Sequence, residues 1–141
     1  MDFASINYLA VVACVVVSLA IGFVWYSPKT FFPVWWKGIG KSDSDTPGGG
    51  SMGMTWTLTV LSSFVQAVFL SLLITAMGSG VGGATLLSGL TAGLIVWVGF
   101  VAPTNLVNKL FAGHGLKVWA IESGNHLINF LLFGAILGAW R

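Results

Sequence analysis

The sequence predicts an all-α membrane protein, a bundle of four transmembrane helices in one domain, on three observations. Of 141 residues, 56% are hydrophobic and only 7% charged, against roughly one-quarter charged in soluble domains. The few charges leave long uninterrupted gaps: none lies between Asp2 and Lys29, none between Asp45 and Lys109, and only Glu122 between Lys117 and Arg141. A bilayer core of about 30 Å takes about 20 apolar residues per helix, so these gaps count helices.

The first gap gives a helix over about 5–26. Its start, Met-Asp-Phe-Ala, lacks the basic stretch of a cleavable signal peptide, so this helix is expected to stay in the mature protein. Cys14 falls in its apolar run as a small packed thiol. The middle gap is long enough for two crossings, and Gly78-Ser79-Gly80-Val81-Gly82-Gly83 divides it as a tight turn. Helices are therefore expected over about 54–77 and 84–107, and a fourth over about 118–140.

Orientation follows from the basic residues, which tend to be retained on the cytoplasmic side. Lys29, Lys37, Lys41, Lys109 and Lys117 lie in the first and third loops, whereas the termini and the glycine turn hold only Arg141. Both termini are expected outside, and loop 27–53 in the cytoplasm. Trp25, Trp35, Trp36, Trp56 and Trp119 fall beside the lysine-bearing ends, as amphipathic indoles at a headgroup boundary do. Within the loop, Phe31, Phe32, Trp35, Trp36 and Ile39 share one side at helical spacing, with Lys37 and Lys41 opposite, the layout of an interfacial anchor. Pro33 limits any helix there to short pieces. Residues 42–53 read as a flexible linker, and no phosphate-loop Lys-Ser/Thr follows their glycines.

The string Gly22-Phe23-Val24-Trp25-Tyr26-Ser27-Pro28-Lys29-Thr30-Phe31 resembles the signature of the bacterial family called domain of unknown function 1761. Gly99-Phe100-Val101-Ala102 before Asn105, Asn125-His126-Leu127 and the terminal Gly134-Ala135-Ile136-Leu137-Gly138-Ala139-Trp140 are also similar to its pattern. The resemblance implies a small four-helix protein of the bacterial inner membrane, and no activity.

Polar side chains are costly to leave in lipid, so their faces report what meets protein or water. On the fourth helix Glu122, His126 and Asn129 follow i, i+4, i+7, with Asn125 beside them. On the second, Thr55, Thr59, Ser62 and Gln66 form a similar stripe, and the third adds Thr104, Asn105 and Asn108 near Pro103. Both long stripes turn apolar in the outer half, at Phe133, Ile136 and Leu137 and at Phe69 and Leu73. These residues predict a polar cup open to the cytoplasm and closed outward, which disfavours a simple pore.

Glu122 is the one acidic residue in a span. It either pairs with Lys109 or Lys117 across the ends of helices three and four or relays protons together with His126. Glu122 and His126 offer two metal ligands and no third, so no metal site is expected. Cys14 is expected in the outer half, away from His126, and no membrane Asp orients that ring. No catalytic residue is assigned, no enzyme activity is expected, and a membrane enzyme using His126 is the weakest reading. No cofactor is expected, and the scattered charge of net +2 excludes nucleic acid as a partner.

Small residues carry the remaining signal. Gly89-x-x-x-Gly93 and Gly134-x-x-x-Gly138 let helices approach closely, within the chain or against another chain. The leading expectation is a non-catalytic bundle in the lipid bilayer, acting as a homo-oligomer or as an accessory subunit joined through these faces. The alternative is a proton or small-solute transporter working as an oligomer through the cup.

Overall fold

The computed structural model describes residues 2–48, 50–78 and 83–140. Residues 79–82 of the expected glycine turn and the terminal Arg141 lie outside the described residues.

Four helices have the length and apolarity of membrane spans: Tyr8–Trp25, Met52–Gly78, Leu86–Phe111 and Gly115–Ala139. The protein is thus a multi-pass membrane protein, and no strand occurs among the described residues.

A short 3₁₀ turn, Phe3–Ser5, precedes helix α1 (Tyr8–Trp25). The helix starts at Tyr8, later than the charge gap suggests, because the Asn7 side chain accepts from the N–H groups of Leu9 and Ala10 and caps it there. Its inner face is Ala10, Val11, Cys14, Val15 and Ser18, and Cys14 is fully buried. The Trp-Tyr-Ser-Pro string ends the helix physically: Pro28 cannot extend it, and the Thr30 hydroxyl donates back to the Trp25 carbonyl at 2.8 Å.

Helix α2 (Phe32–Gly38) is a two-turn piece with Pro33 in its first turn, where a missing N–H costs nothing. The following residues are more ordered than a free linker, since Asp45 accepts from both the backbone N–H and the hydroxyl of Ser42. Helix α3 (Met52–Gly78) turns Ser63, Ala67, Leu70, Ser71, Ile74 and Gly78 inward.

The third span is not a single α-helix. Helix α4 (Leu86–Val96), opened by a Thr85–Ser88 capping box, passes through a π turn (Trp97–Val101) into helix α5 (Ala102–Phe111). Pro103 accounts for the π turn, since its ring would clash with the carbonyl of Gly99 in an unbroken α-helix; one wider turn, with Ala102 N–H donating to the Trp97 carbonyl, absorbs the conflict. The span runs on past Lys109, and helix α6 (Gly115–Ala139) begins before Lys117. Gly113 and Gly115, with φ of 74° and 80°, set the boundary instead of the charges.

α6 touches all five other α-helices. Its closest partner is α4. A Cβ on Gly89 would land on the carbonyl oxygen of Gly134, one on Gly134 on that of Gly89, one on Gly93 on that of Phe130 and one on Gly138 on that of Thr85. Both glycine motifs are therefore used in this single intramolecular contact, the first of the two alternatives, within the chain and not against another chain. Phe133 and Leu137, each 1% exposed, fill the core toward α1 and α3.

Candidate functional site: a tryptophan collar on Glu122

Helix α6 places Ile121, Glu122 and Ser123 at the lysine-bearing end of the bundle, and three indoles from three different elements converge on them. Trp25, the last residue of α1, donates through Nε1 to the Ile121 carbonyl at 2.9 Å. Trp35 of α2 donates to Glu122 Oε1 at 2.9 Å, and Trp97 of the π turn donates to the Ser123 carbonyl at 2.8 Å. A fourth indole, Trp119, runs the other way, from α6 to the Ala102 carbonyl at 2.9 Å. Carbonyls already bonded within a helix accept these extra donors because each oxygen has two lone pairs. Room for the collar comes from Gly124, where a Cβ would stand 3.0 Å from the Trp25 ring.

Both oxygens of the carboxylate are engaged. Glu122 Oε2 meets Lys109 Nζ at 2.9 Å and accepts from Asn105 Nδ2 at 3.2 Å, while Oε1 holds the Trp35 indole. This is the only ion pair among the described residues. Asn105 is in turn oriented by the Ser123 hydroxyl, which donates to its Oδ1 at 3.4 Å. α2, α5 and α6 are thereby tied at one carboxylate. Tyr26 closes the near side, its ring 5.1 Å from that of Trp35; burial, then the Glu122 charge, pushes its phenol up from the ordinary value.

The expected cup is only partly assembled. Glu122, Asn105 and Lys109 come together. Asn125 and Asn129 bond to each other at 3.2 Å one turn deeper, leaving Asn125 Nδ2 and Asn129 Oδ1 buried without partners. His126 is half-buried beside them, and its ring has no hydrogen-bond partner among the described residues. Asn108 is exposed away from the cluster.

The α3 stripe does not join. Residues 52–62 are exposed throughout, Thr55 and Thr59 bond back to their own helix's carbonyls, and Gln66 donates to Ser62 on the same helix. The reason lies on the adjacent face. Ser63 donates its surface to the α1 crossing, where Ser18 Oγ lies 3.0 Å from Ser63 Oγ, so the small residues pack inward and the Gln66 stripe turns out.

The aromatic segment also differs from a simple anchor. Phe31 is exposed at the start of α2, but Trp35 donates to Glu122, and Trp36 is 8% exposed with its Nε1 donating to the Ser42 carbonyl at 2.8 Å. Phe32 stacks on Trp36 at 5.3 Å. What the sequence reading missed is that the tryptophans near the lysine-bearing end act as hydrogen-bond donors inside the bundle. Gly124, a glycine two residues past Glu122, was the available signal.

Residues 9–138 match the model of a family described as a protein of unknown function, DUF1761. The chain belongs to this family. The DUF1761 match runs from the first turn of α1 to the last turn of α6 and so includes Trp25, Trp35, Lys109 and Glu122. No curated protein and no solved structure matches the chain.

Proposed function

We propose that this protein is a non-catalytic membrane bundle that acts by association, with a second copy of itself or as an accessory subunit of a larger membrane complex. The observation that carries this reading is the first part of α3. Residues 52–62 stand exposed, and between them and α1 runs an open apolar groove of about 490 Å³ bounded by Val12, Val16, Val60, Leu61 and Phe64. Thr55, Thr59 and Ser62 line the same exposed stretch, and the half-buried Gln66 follows one turn on. A side-chain amide facing lipid is satisfied better by a partner helix than by hydrocarbon, and a groove of this size takes the side chains of one. The Glu122 carboxylate supports the same reading, since it ties three elements together and both of its oxygens are engaged in doing so.

The lysine distribution supports cytoplasmic loops with the termini outside, and the family resemblance supports residence in a bacterial inner membrane. The deciding experiment is native mass spectrometry of the gently extracted protein. It is paired with cross-linking of a Leu61→Cys variant in a Cys14→Ser background. A discrete homo-oligomer or a stoichiometric foreign subunit, with cross-links at position 61 and none at an α6 control such as Leu116→Cys, is the expected result. A bare monomer without cross-links overturns the proposal.

One observation favours a second reading, movement of a proton or small solute by an oligomer. Asn125, only 7% exposed, and Asn129 keep an unpartnered donor and acceptor beside His126 inside α6's buried face. In reconstituted vesicles this reading requires a flux that Asn129→Leu abolishes, and vesicles without flux dismiss it.

A further inference from the structure

α2 connects two membrane spans, so it lies at the boundary between bilayer and water. Trp35 fixes it to Glu122, and Gly38 rests on Val118 so closely that a Cβ there would overlap the valine methyl. On its other side lies a second groove, of about 520 Å³. Phe32, Pro33 and Trp36 form an apolar floor, the two rings stacked at 5.3 Å. Lys37 and Lys41 supply two ammonium groups, and Ser42 and Asp43 complete the polar wall.

Neither lysine is in an ion pair among the described residues, where Lys109–Glu122 is the only one. Lys41 acts on Asp45 only through its field. Among the lining residues, with Asp43 counted and Asp45 outside the groove, one net positive charge remains.

An aromatic floor next to paired cations suits a ligand that is apolar at one end and anionic at the other. A free anion would leave the floor unused, and an apolar chain would leave the cations unused. We propose that this groove binds the headgroup of one anionic phospholipid. Its phosphate sits between Lys37 and Lys41, its glycerol and first acyl carbons lie on Phe32 and Trp36, and headgroup hydroxyls reach Ser42 and Asp43. The site is independent of the α1–α3 groove and of any association there.

The test titrates phosphatidylglycerol into the delipidated full chain in a mild non-ionic detergent and counts bound lipid by native mass spectrometry. Phosphatidylcholine and inorganic phosphate serve as competitors. Wild type is expected to retain one phosphatidylglycerol, with phosphatidylcholine at least about ten-fold weaker and millimolar inorganic phosphate unable to displace it. Lys37→Gln with Lys41→Gln loses roughly thirty-fold, from about five-fold per lysine near a membrane surface. Lys117→Gln, an exposed lysine outside the groove, changes nothing. Asp43→Asn, on the exposed rim, tightens binding a few-fold and keeps the proposal testable should the double variant fold poorly. Equal binding of phosphatidylcholine, displacement by inorganic phosphate, or affinities unmoved by the groove variants would overturn it.

Discussion

The indole of Trp35 and the carboxylate of Glu122 meet at 2.9 Å across 87 residues of chain, and this bond joins the short helix α2 to the lysine-bearing end of the bundle. Around it Lys109 and Asn105 complete the carboxylate's partners from α5. A charge with few neighbours in lipid is stable only when it is satisfied in this way.

Glu122→Gln leaves the Lys109 ammonium, 20% exposed, without its counter-charge. A loss of about 2 kcal/mol is expected, visible as a lower melting temperature in detergent. Lys109→Gln should cost a similar amount, and the double variant less than the sum, because the pair then becomes two neutral amides. Additive losses would show that the pair is not coupled. Trp35→Phe keeps the ring and removes one bond to a charged acceptor, with an expected loss of about 1.5 kcal/mol.

The glycine contact between α4 and α6 predicts a defect within one chain. Gly89→Ala or Gly134→Ala forces a methyl onto a facing carbonyl oxygen and should lower stability by about 2 kcal/mol or more before any effect on assembly. Gly99→Ala has nothing within 4 Å of the new methyl and should be close to neutral. Thermal melts of the three variants, beside their oligomer distributions, check the ranking. A loss of assembly at unchanged melting temperature would return these glycines to an interface between chains.

Gln66→Leu tests the exposed face of α3. Its amide bonds only to Ser62 on its own helix, so the chain's own stability should barely change. If a partner helix covers this face, association should weaken about three-fold, the scale of one interhelical hydrogen bond in a bilayer. Dilution in detergent, followed by native mass spectrometry, reads this directly.

Asp45 gives the pH-dependent prediction. The backbone N–H and then the hydroxyl of Ser42 hold its carboxylate below the ordinary value of 3.8, with a smaller help from Lys41. Because the folded value is depressed, the turn's contribution is present above the unfolded value and is lost as pH falls through the folded one. The turn should therefore be intact at neutral pH and open only in acid below 3.8. Carbon-detected titration of Asp45 checks the sign, and in Ser42→Ala its value should rise.

The count of spans was legible in the sequence because hydrocarbon imposes a length and a polarity on any crossing segment, and the gaps between Asp2, Lys29, Asp45 and Lys109 record both. Glu122 stood out for the same reason, and Lys109 was one of two cations near enough to meet it. The helix boundaries read from charge drifted, because Asn7, Gly113 and Gly115 set them through capping and backbone conformation. Long lysine stems let Lys109 and Lys117 sit inside helices that the charge gaps ended too early.

What only the tertiary structure decided is which faces meet. Periodicity put Gln66 and Glu122 on comparable stripes, but the close approach of α1 and α3 at Ser18 and Ser63 turned Gln66 outward. The glycine motifs suited an inner or an outer contact equally, and the mutual fit of Gly89 with Gly134 made it inner. Tryptophans beside lysines read as boundary anchors, yet the N–H groups of Trp25 and Trp35, joined by that of Trp97 from the π turn, found acceptors on consecutive residues of α6. Sequence fixes the period and depth of a side chain in a membrane helix, whereas its partner depends on the rotation and crossing of the neighbouring helix, which arise from the packing of all the faces together.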